Sequence, residues 1–209
     1  LRTPLATILG SVTTLRELGG TLSPSARTDL LAAIEEEAER LARYVEKLLQ
    51  LTRLQSGMEV NMAWVDAGDA AQAAVARARR SWPQARIEAE VPPLPMLRAE
   101  AGLLEQAIFN LIENAVKYAP GPIRVSAGVQ PDRWLALSVA DQGPGLPGPV
   151  AEWLALDAMA RPPQGAGLGL PISKGIAAAL GGRLVARRGP GGAGAVIEIL
   201  LPVPPARGA

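Results

Sequence analysis

Asn110-Leu-Ile-Glu-Asn114-Ala-Val-Lys117-Tyr118-Ala-Pro120 is the stretch that decides the fold. Apolar residues recur at steps of three and four from Leu103 to Ala115, which predicts an amphipathic helix. Pro120 cannot continue that helix, because proline lacks the amide proton and disfavours helical backbone before it. The stretch is therefore a helix with a defined end.

One face of this helix carries polar residues that could bind a ligand. Asn110 and Asn114 are four residues apart and lie one turn above the other, and Lys117 can join them. Two amide oxygens and an ammonium suit a magnesium-bound polyphosphate, because magnesium takes oxygen ligands and a cation can meet the remaining phosphate charge. A plain helix end, with solvated amides and a lysine matching the helix dipole, explains these residues equally well.

The composition excludes several classes of protein. The chain has 209 residues, 48% hydrophobic but only 3% aromatic, so we expect a core of aliphatic side chains. A net charge of +1 gives no electrostatic reason to expect nucleic acid or an anionic membrane surface as a partner. Cysteine is absent, which excludes disulfides and is compatible with a cytoplasmic location. No apolar run approaches the roughly 18 residues of a membrane span, so we expect no membrane segment in this chain.

Two amphipathic helices are predicted at the start of the chain. The first ends at Gly19-Gly20, and Ser23-Pro24 gives the second an N-cap with proline at its first position. The second helix carries a heptad stripe made of Leu31, Ile34, Ala38, Leu41, Val45, Leu48 and Thr52. One antiparallel hairpin cannot bury both apolar stripes, so we predict a homodimer that forms a four-helix bundle. The alternative is a hairpin packed on the next domain of its own chain.

A second domain is predicted after Gly57, which gives a helical hairpin over residues 1–57 and a different domain over residues 58–209. Besides the helix described above, it is predicted to contain helices at 67–81 and 171–180, and strands at 85–91, 96–98, 123–129, 134–140, 184–187 and 195–201. Strands paired as hairpins, with helices covering one face, indicate an α+β two-layer sandwich. A doubly wound parallel sheet would need regular alternation of strands and helices, which this sequence lacks.

Two glycine-rich turns carry further candidate residues. Asp141-Gln-Gly143-Pro-Gly145 follows a strand, and an aspartate there can accept a hydrogen bond from an exocyclic amine such as that of adenine. Gly165-Ala-Gly167-Leu168-Gly169-Leu170 opens a helix, whose first amides can bind phosphate. Such a glycine run also occurs in flexible loops, and because this one does not follow a strand it is unlike a dinucleotide-binding turn.

The order and spacing of these stretches resemble the sensor histidine kinases. Residues 110–120, 141–145, 165–170 and Gly194 resemble the N, G1, G2 and G3 boxes of that family, and Leu1-Arg2-Thr3-Pro4-Leu5 resembles the tail of its phosphoacceptor motif, His-Glu-Leu-Arg-Thr-Pro-Leu. The resemblance covers nearly the whole chain. Within the family, residues 36–41, 54–57 and 64–66 are similar to the Kdp-type potassium-sensing kinases.

The resemblance implies a fold, cofactors and partners. The fold is a dimeric helical bundle for dimerisation and histidine phosphotransfer, followed by an ATP-binding domain of the Bergerat (GHKL) type. The implied cofactors are ATP and Mg²⁺, and the implied partner is the receiver domain of a response regulator. The activity is transfer of the γ-phosphoryl group of ATP to a histidine and then to an aspartate of that regulator. The implied location is the cytoplasmic part of a protein anchored in the bacterial inner membrane.

The resemblance also implies roles for named residues. Asn114 would ligate magnesium with Asn110 near the same ion, Lys117 would contact phosphate, and Asp141 would bind the adenine amino group. The full set implied for cofactor binding is Asn114, Lys117, Tyr118, Asp141, Gly143, Gly145, Leu146, Arg161, Gly165, Gly167, Leu168 and Gly169. Asn110, Lys117 and Thr3 would serve catalysis, with Thr3 orienting water when the partner regulator is dephosphorylated. Arg161 is either a phosphate contact or a solvated residue of the lid.

The sequence departs from the family pattern at three points. It contains no histidine, and we expect truncation just after the phosphoacceptor in preference to natural loss. Leu156 and Met159 replace the two aromatic residues of the F box, within a short lid between Gly145 and Gly165. Gly194-Ala195-Val196 lacks the usual polar residue. A degenerate nucleotide-binding or regulator-docking module with little kinase activity is therefore the alternative. Another ATPase of the same fold is disfavoured by the helical hairpin.

Overall fold

The computed structural model describes residues 2–55, 60–156 and 161–204. The chain forms two compact units, residues 1–50 and 51–209, and each is described by itself. The predicted domain boundary after Gly57 stays a prediction, because residues 56–59 lie outside the described ranges. In those ranges no helix combines the length and the apolar character that crossing a bilayer requires.

The first unit consists of helix α1 (Arg2–Leu18) and most of helix α2 (Pro24–Gln55). After α1 the chain turns, and the backbone amides of Thr21 and Leu22 donate to the carbonyl of Leu18 at 2.8 and 3.1 Å. Helix α2 begins as predicted, because the Ser23 hydroxyl accepts a hydrogen bond from the amide of Ala26 at 3.2 Å. The two predicted helices are confirmed.

The described part of the second unit contains seven strands: β1 (Ala63–Asp66), β2 (Ile87–Glu90), β3 (Met96–Ala99), β4 (Ile123–Val129), β5 (Trp134–Ala140), β6 (Arg183–Arg188) and β7 (Ala195–Pro202). Five of them form one sheet in the order β2-β4-β5-β7-β6, and β1 pairs with β3 separately. The predicted hairpins β4–β5 and β6–β7 are both present and antiparallel. The sheet is mixed, however, because β2 lies parallel to β4.

The parallel pair follows from the connection between its strands. Parallel neighbours need a crossover of a dozen or more residues, and the chain from 91 to 122 supplies one that includes a helix. Strand β1 was not predicted either; residues 63–66 are too few to show a clear alternation, and only their pairing with β3 makes them a strand.

The helices of the second unit are α3 (Ala67–Ser81), α4 (Ala101–Tyr118), α5 (Gly148–Ala155) and α6 (Gly169–Ala179). Helix α4 packs against both α3 and α6. The fully buried side chains of this unit include Leu104, Ile108, Leu111, Ile112, Ile123, Leu135, Leu137, Ile172 and Ile176. The predicted α+β two-layer sandwich is confirmed. Helix α5 was not predicted, and α6 begins two residues before the predicted start because proline is tolerated in a first helical turn.

Both ends of α4 are set by its sequence. The Glu100 carboxylate accepts hydrogen bonds from the amides of Gly102 at 3.2 Å and Leu103 at 2.6 Å, which caps the first turn. At the other end Ala119 is extended, with φ −122° and ψ 122°, as expected for the residue before a proline. The Glu100 cap and Pro120 therefore fix where α4 begins and ends.

We predict that Ile112→Ala destabilises the second unit by about 2–5 kcal/mol, because the substitution leaves a cavity at a fully buried position. All four tryptophans lie in this unit, so urea unfolding followed by tryptophan fluorescence reports on it. Val129→Ala, at a side chain 49% exposed, is the matched control and should change stability by less than about 1 kcal/mol. Equal losses for the two variants would contradict the buried position of α4.

Candidate functional site

Asn110 is the most deeply buried of the predicted site residues with a polar side chain, at 1% exposure. Its Oδ1 accepts a hydrogen bond from Nε2 of Gln106 at 2.9 Å. Its Nδ2 has no hydrogen-bond partner among the described residues. A buried amide donor left without an acceptor is costly, so this atom marks a place where a ligand acceptor would fit.

The other predicted residues of α4 are more accessible. Asn114 is half-buried one turn after Asn110, and Lys117 and Tyr118 are exposed. The Lys117 ammonium lies 4.9 Å from the centre of the Tyr118 ring, a cation–π distance. The last two turns of α4 therefore present an amide, a cation and an aromatic ring that a ligand can reach.

The Asp141 turn is fixed by its own carboxylate. Oδ1 of Asp141 accepts hydrogen bonds from the amides of Gly143 at 2.8 Å and Ala195 at 3.2 Å. Gly194 closes the same corner with a positive φ of 71°, and a Cβ there would lie within 2 Å of the Asp141 carbonyl oxygen. Only glycine fits at that position. A Cβ on Gly145 would be 3.3 Å from the Gly194 carbonyl, so these two glycines lie against each other.

The Gly165–Leu170 turn leads into α6. Gly165 and Gly167 have φ of 95° and 63°, which favours glycine at both. Leu168 is the N-cap of α6 and provides no side-chain cap for its first amides, while Ala166 and Leu170 are buried on either side. Because those amides have no capping side chain, they can meet an anionic group at the positive end of the helix dipole.

Both glycine turns approach α4. A Cβ on Gly143 would lie 2.9 Å from the Ala119 Cβ, which places the Asp141 turn at the end of α4. A Cβ on Gly169 would lie 3.7 Å from the Asn110 Cβ, which places the start of α6 two turns earlier on the same helix. The two approaches are about 13.5 Å apart along the axis of α4. The three predicted stretches therefore meet along one helix.

Some predicted residues are not part of this arrangement. Thr3 lies in the first turn of α1, and its side chain is outside the described parts of the structure. Of the F box, residues 157–160 are also outside them, while Leu156 is 52% exposed and Arg161 is exposed. Leu146 is half-buried against the core. No group of three or more acidic, histidine or cysteine side chains that could bind a metal is found in the described ranges.

Sequence reasoning missed three residues around the site. Gln106 contacts Asn110, and Arg77 of α3 donates to Gln106 Oε1 at 3.3 Å. Lys174 of α6 is 5% exposed and donates from Nζ to the carbonyls of Trp153 at 2.7 Å and Leu156 at 2.5 Å, which ties α6 to the carboxyl end of α5. The available signals were a glutamine one turn before Asn110 and a lysine within the apolar run of α6.

Comparison with known proteins gives the family. The model of the histidine kinase-, DNA gyrase B- and HSP90-like ATPases matches residues 99–205, and that of the His Kinase A (phospho-acceptor) domain matches residues 1–57. Sensor protein KdpD of Mycobacterium tuberculosis is 35% identical over 217 residues, 98% of this chain and 25% of its own length. The alginate biosynthesis sensor protein KinB of Pseudomonas aeruginosa is 35% identical over 216 residues, 97% of this chain and 35% of its own.

A solved structure agrees with these matches. Full-length ShkA in complex with AMPPNP superimposes with a TM-score of 0.68 at 30% identity, over 96% of this chain and 43% of its own. The chain spans about a quarter to a third of the length of the two curated relatives described above. Because KdpD and KinB match at the same identity, the Kdp-type subfamily stays a prediction. The chain belongs to the sensor histidine kinases, and its second unit carries their ATPase domain.

Proposed function

We propose that this chain is the kinase core of a two-component sensor, which binds ATP with Mg²⁺ and directs the γ-phosphoryl group to a histidine and then to a response-regulator aspartate. The observation that carries the proposal is the approach of both glycine turns to α4, at Asn110 and at Ala119. The full-length ShkA structure, which contains AMPPNP, supports a nucleotide as the ligand. None of the 209 residues is a histidine, so the proposal places the acceptor elsewhere in the full-length sensor.

The phosphate end of the proposed site is the middle of α4 and the start of α6. Asn114 is half-buried and offers an amide oxygen, the ligand type that Mg²⁺ takes, and Lys117 offers a cation for phosphate oxygens. The first amides of α6, including that of Gly169, add donors without a side-chain cap. Phosphoryl transfer depends on positioning and charge neutralisation, and these groups provide both for bound Mg-ATP.

The adenine end of the proposed site is the Asp141 turn. The backbone holds Oδ1 of Asp141 with two amides, so Oδ2 can accept a hydrogen bond from the adenine amino group. Gly143 and Gly145 shape the wall beside it, with half-buried Leu146 behind them, and the exposed Tyr118 ring can lie against the base. Gly165 and Gly167 serve as hinges of the lid, with Leu168 at its edge, and Arg161 within the lid is the remaining candidate phosphate contact.

The first unit is proposed to form the dimer interface. Its exposed apolar side chains are Leu5, Leu9, Val12, Leu18, Leu31, Val45, Leu48 and Leu49. Such a set of exposed apolar residues on two helices is typical of a surface that another chain covers. A second copy gives a four-helix bundle, on which the receiver domain of a response regulator would dock, with Thr3 orienting water for dephosphorylation. We further propose a cytoplasmic position in a membrane-anchored sensor, as the relatives' names as sensor proteins support.

We predict Mg²⁺-dependent ATP binding that weakens about tenfold or more in Asn114→Ala and in Asp141→Asn. The second substitution keeps an oxygen for the two backbone amides and removes the acceptor for adenine. Isothermal titration calorimetry measures both affinities, and Asn61→Ala and Asp132→Ala, at exposed positions, are the matched controls. If the unmodified chain shows no binding at millimolar ATP with Mg²⁺, the proposed function is wrong.

We predict that the chain phosphorylates itself when a helical leader ending in His-Glu is placed before Leu1. Labelled ATP should then give an acid-labile phosphate, and Asn114→Ala should abolish it because the metal ligand is lost. This experiment separates an active kinase from the degenerate module, the alternative that the replacement of the two F-box aromatic residues suggests. Normal ATP binding without any phosphorylation of the restored histidine would favour the degenerate module.

We predict that the chain is a dimer, with about twice the 21.8 kDa mass of one copy, and that Leu9→Lys combined with Leu31→Lys makes it monomeric. These side chains are 58% and 52% exposed, so the charges do not disturb a buried core. Light scattering after size-exclusion chromatography measures the mass. Val129→Lys, in the second unit, should leave the dimer intact; a monomeric unmodified chain would rule out the bundle.

A further inference from the structure

A chain of hydrogen bonds connects α3 to the buried amide of α4. Arg77 of α3 donates from one guanidinium nitrogen to Oε1 of Gln106 at 3.3 Å. Nε2 of Gln106 then donates to Oδ1 of Asn110 at 2.9 Å. Asn110 is 1% exposed, and its Nδ2 is left without an acceptor in the described ranges. The three side chains therefore form one chain of hydrogen bonds, which ends in an unsatisfied donor, Nδ2 of Asn110.

The hydrogen bonds of this chain can be arranged in one direction only, from Arg77 through Gln106 to Asn110. A carboxamide can be turned end for end, but a guanidinium has donors and no acceptor. Arg77 therefore requires the oxygen of Gln106 to face it, which turns the amino group of Gln106 towards Asn110. Asn110 must then face Gln106 with its oxygen, so its amino group points the other way.

Arg77 is itself well fixed. Its guanidinium carbon lies 4.1 Å from the centre of the Phe109 ring, a cation–π contact. The same nitrogen that donates to Gln106 is 3.6 Å from a Glu105 carboxylate oxygen. Phe109 also stacks on Trp82 of the segment after α3, with ring centres 5.4 Å apart. These contacts on several sides keep the Arg77 guanidinium, the first donor of the chain of hydrogen bonds, in place.

We propose that Arg77 and Gln106 are positioning residues that make Asn110 a hydrogen-bond donor to a phosphate oxygen of the bound nucleotide. Mg²⁺ takes oxygen ligands, and the Asn110 oxygen is already turned towards Gln106. In this assignment Asn114 supplies the metal oxygen, and Asn110 supplies a donor instead of the second metal contact that the family pattern implies. The inference rests on the proposed nucleotide site.

The start of α6 lies directly beside Asn110. Gly169 lies next to the Asn110 backbone, with 3.6 Å between its would-be Cβ and the Asn110 carbonyl oxygen. Ser173 of α6 donates to the Ala107 carbonyl at 3.1 Å, one turn before Asn110. Phosphate bound by the first amides of α6 would therefore lie close to Asn110, the residue that carries the unsatisfied Nδ2.

The first test compares the same substitution one turn apart. Asn110→Asp keeps an oxygen for Gln106 and removes the donor, so Mg-ATP binding at saturating Mg²⁺ should weaken about tenfold or more. Asn114→Asp adds the same charge at the proposed metal ligand, so it should lower the Mg²⁺ concentration needed for half-maximal binding. If Asn110→Asp binds as tightly as the unmodified chain, Asn110 is not the proposed donor, and if it lowers that Mg²⁺ requirement, Asn110 is a metal ligand. Either result overturns the proposal.

The second test addresses Arg77, first by itself and then in the Asn110→Asp background. Arg77→Met should weaken Mg-ATP binding about threefold or more, because Arg77 no longer determines which way the side-chain amides of Gln106 and Asn110 are turned. Arg77→Lys keeps a donor and should restore most of the affinity. In the Asn110→Asp background Arg77→Met should have little further effect, since the donor is already gone. If the losses of affinity in Arg77→Met and Asn110→Asp add independently in the double variant, or if Arg77→Met alone causes no loss, the positioning role is overturned.

One outcome distinguishes this proposal from the function on which it rests. If the unmodified chain binds no Mg-ATP, both fail together. If it binds Mg-ATP, and Asn114→Ala and Asp141→Asn weaken binding while the Asn110 and Arg77 variants do not, the nucleotide site stands and only the positioning role fails.

Discussion

Close packing of α6 against α4 is the interaction on which the second unit depends. Ser173 donates to the Ala107 carbonyl at 3.1 Å, and Gly169 lies beside Asn110, so the two helices approach closely at the start of α6. Helix α3 also packs against α4, and the exposed polar side chains Lys117 and Tyr118 lie at the carboxyl end of α4. The candidate site is therefore where the helix layer leaves α4 uncovered.

The loops around that opening are fixed by contacts that tolerate few substitutions. Gly194 lies so close to the Asp141 carbonyl that a side chain is excluded, and the Asp141 carboxylate ties the turn to β7 through Ala195. On the opposite side Lys174 joins α6 to the carboxyl end of α5 through two backbone carbonyls. The Asp141 turn and the carboxyl end of α5 are therefore each held by hydrogen bonds to backbone groups.

Local features were predictable from the sequence, and features that depend on distant partners were not. The three- and four-residue steps before Pro120 predicted α4, and the turn at residues 130–133 predicted the β4–β5 hairpin. The parallel pairing of β2 with β4 was missed because strand direction depends on a crossover, not on alternation. The orientation of Asn110 was missed because it depends on Arg77, which lies 33 positions earlier in the sequence and on another helix. The family pattern predicted the candidate site residues, and their geometry required the structure.

The central claim is that α4, the Asp141 turn and the Gly165–Leu170 turn form a single nucleotide site. Nuclear magnetic resonance of the ¹⁵N-labelled chain, titrated with Mg-AMPPNP, tests it most directly. The account predicts that the amides of Gly143, Gly167 and Gly169 and the side-chain amide of Asn110 shift together and fit one dissociation constant. Shifts confined to one of the three stretches, or fitted by different dissociation constants, would contradict it.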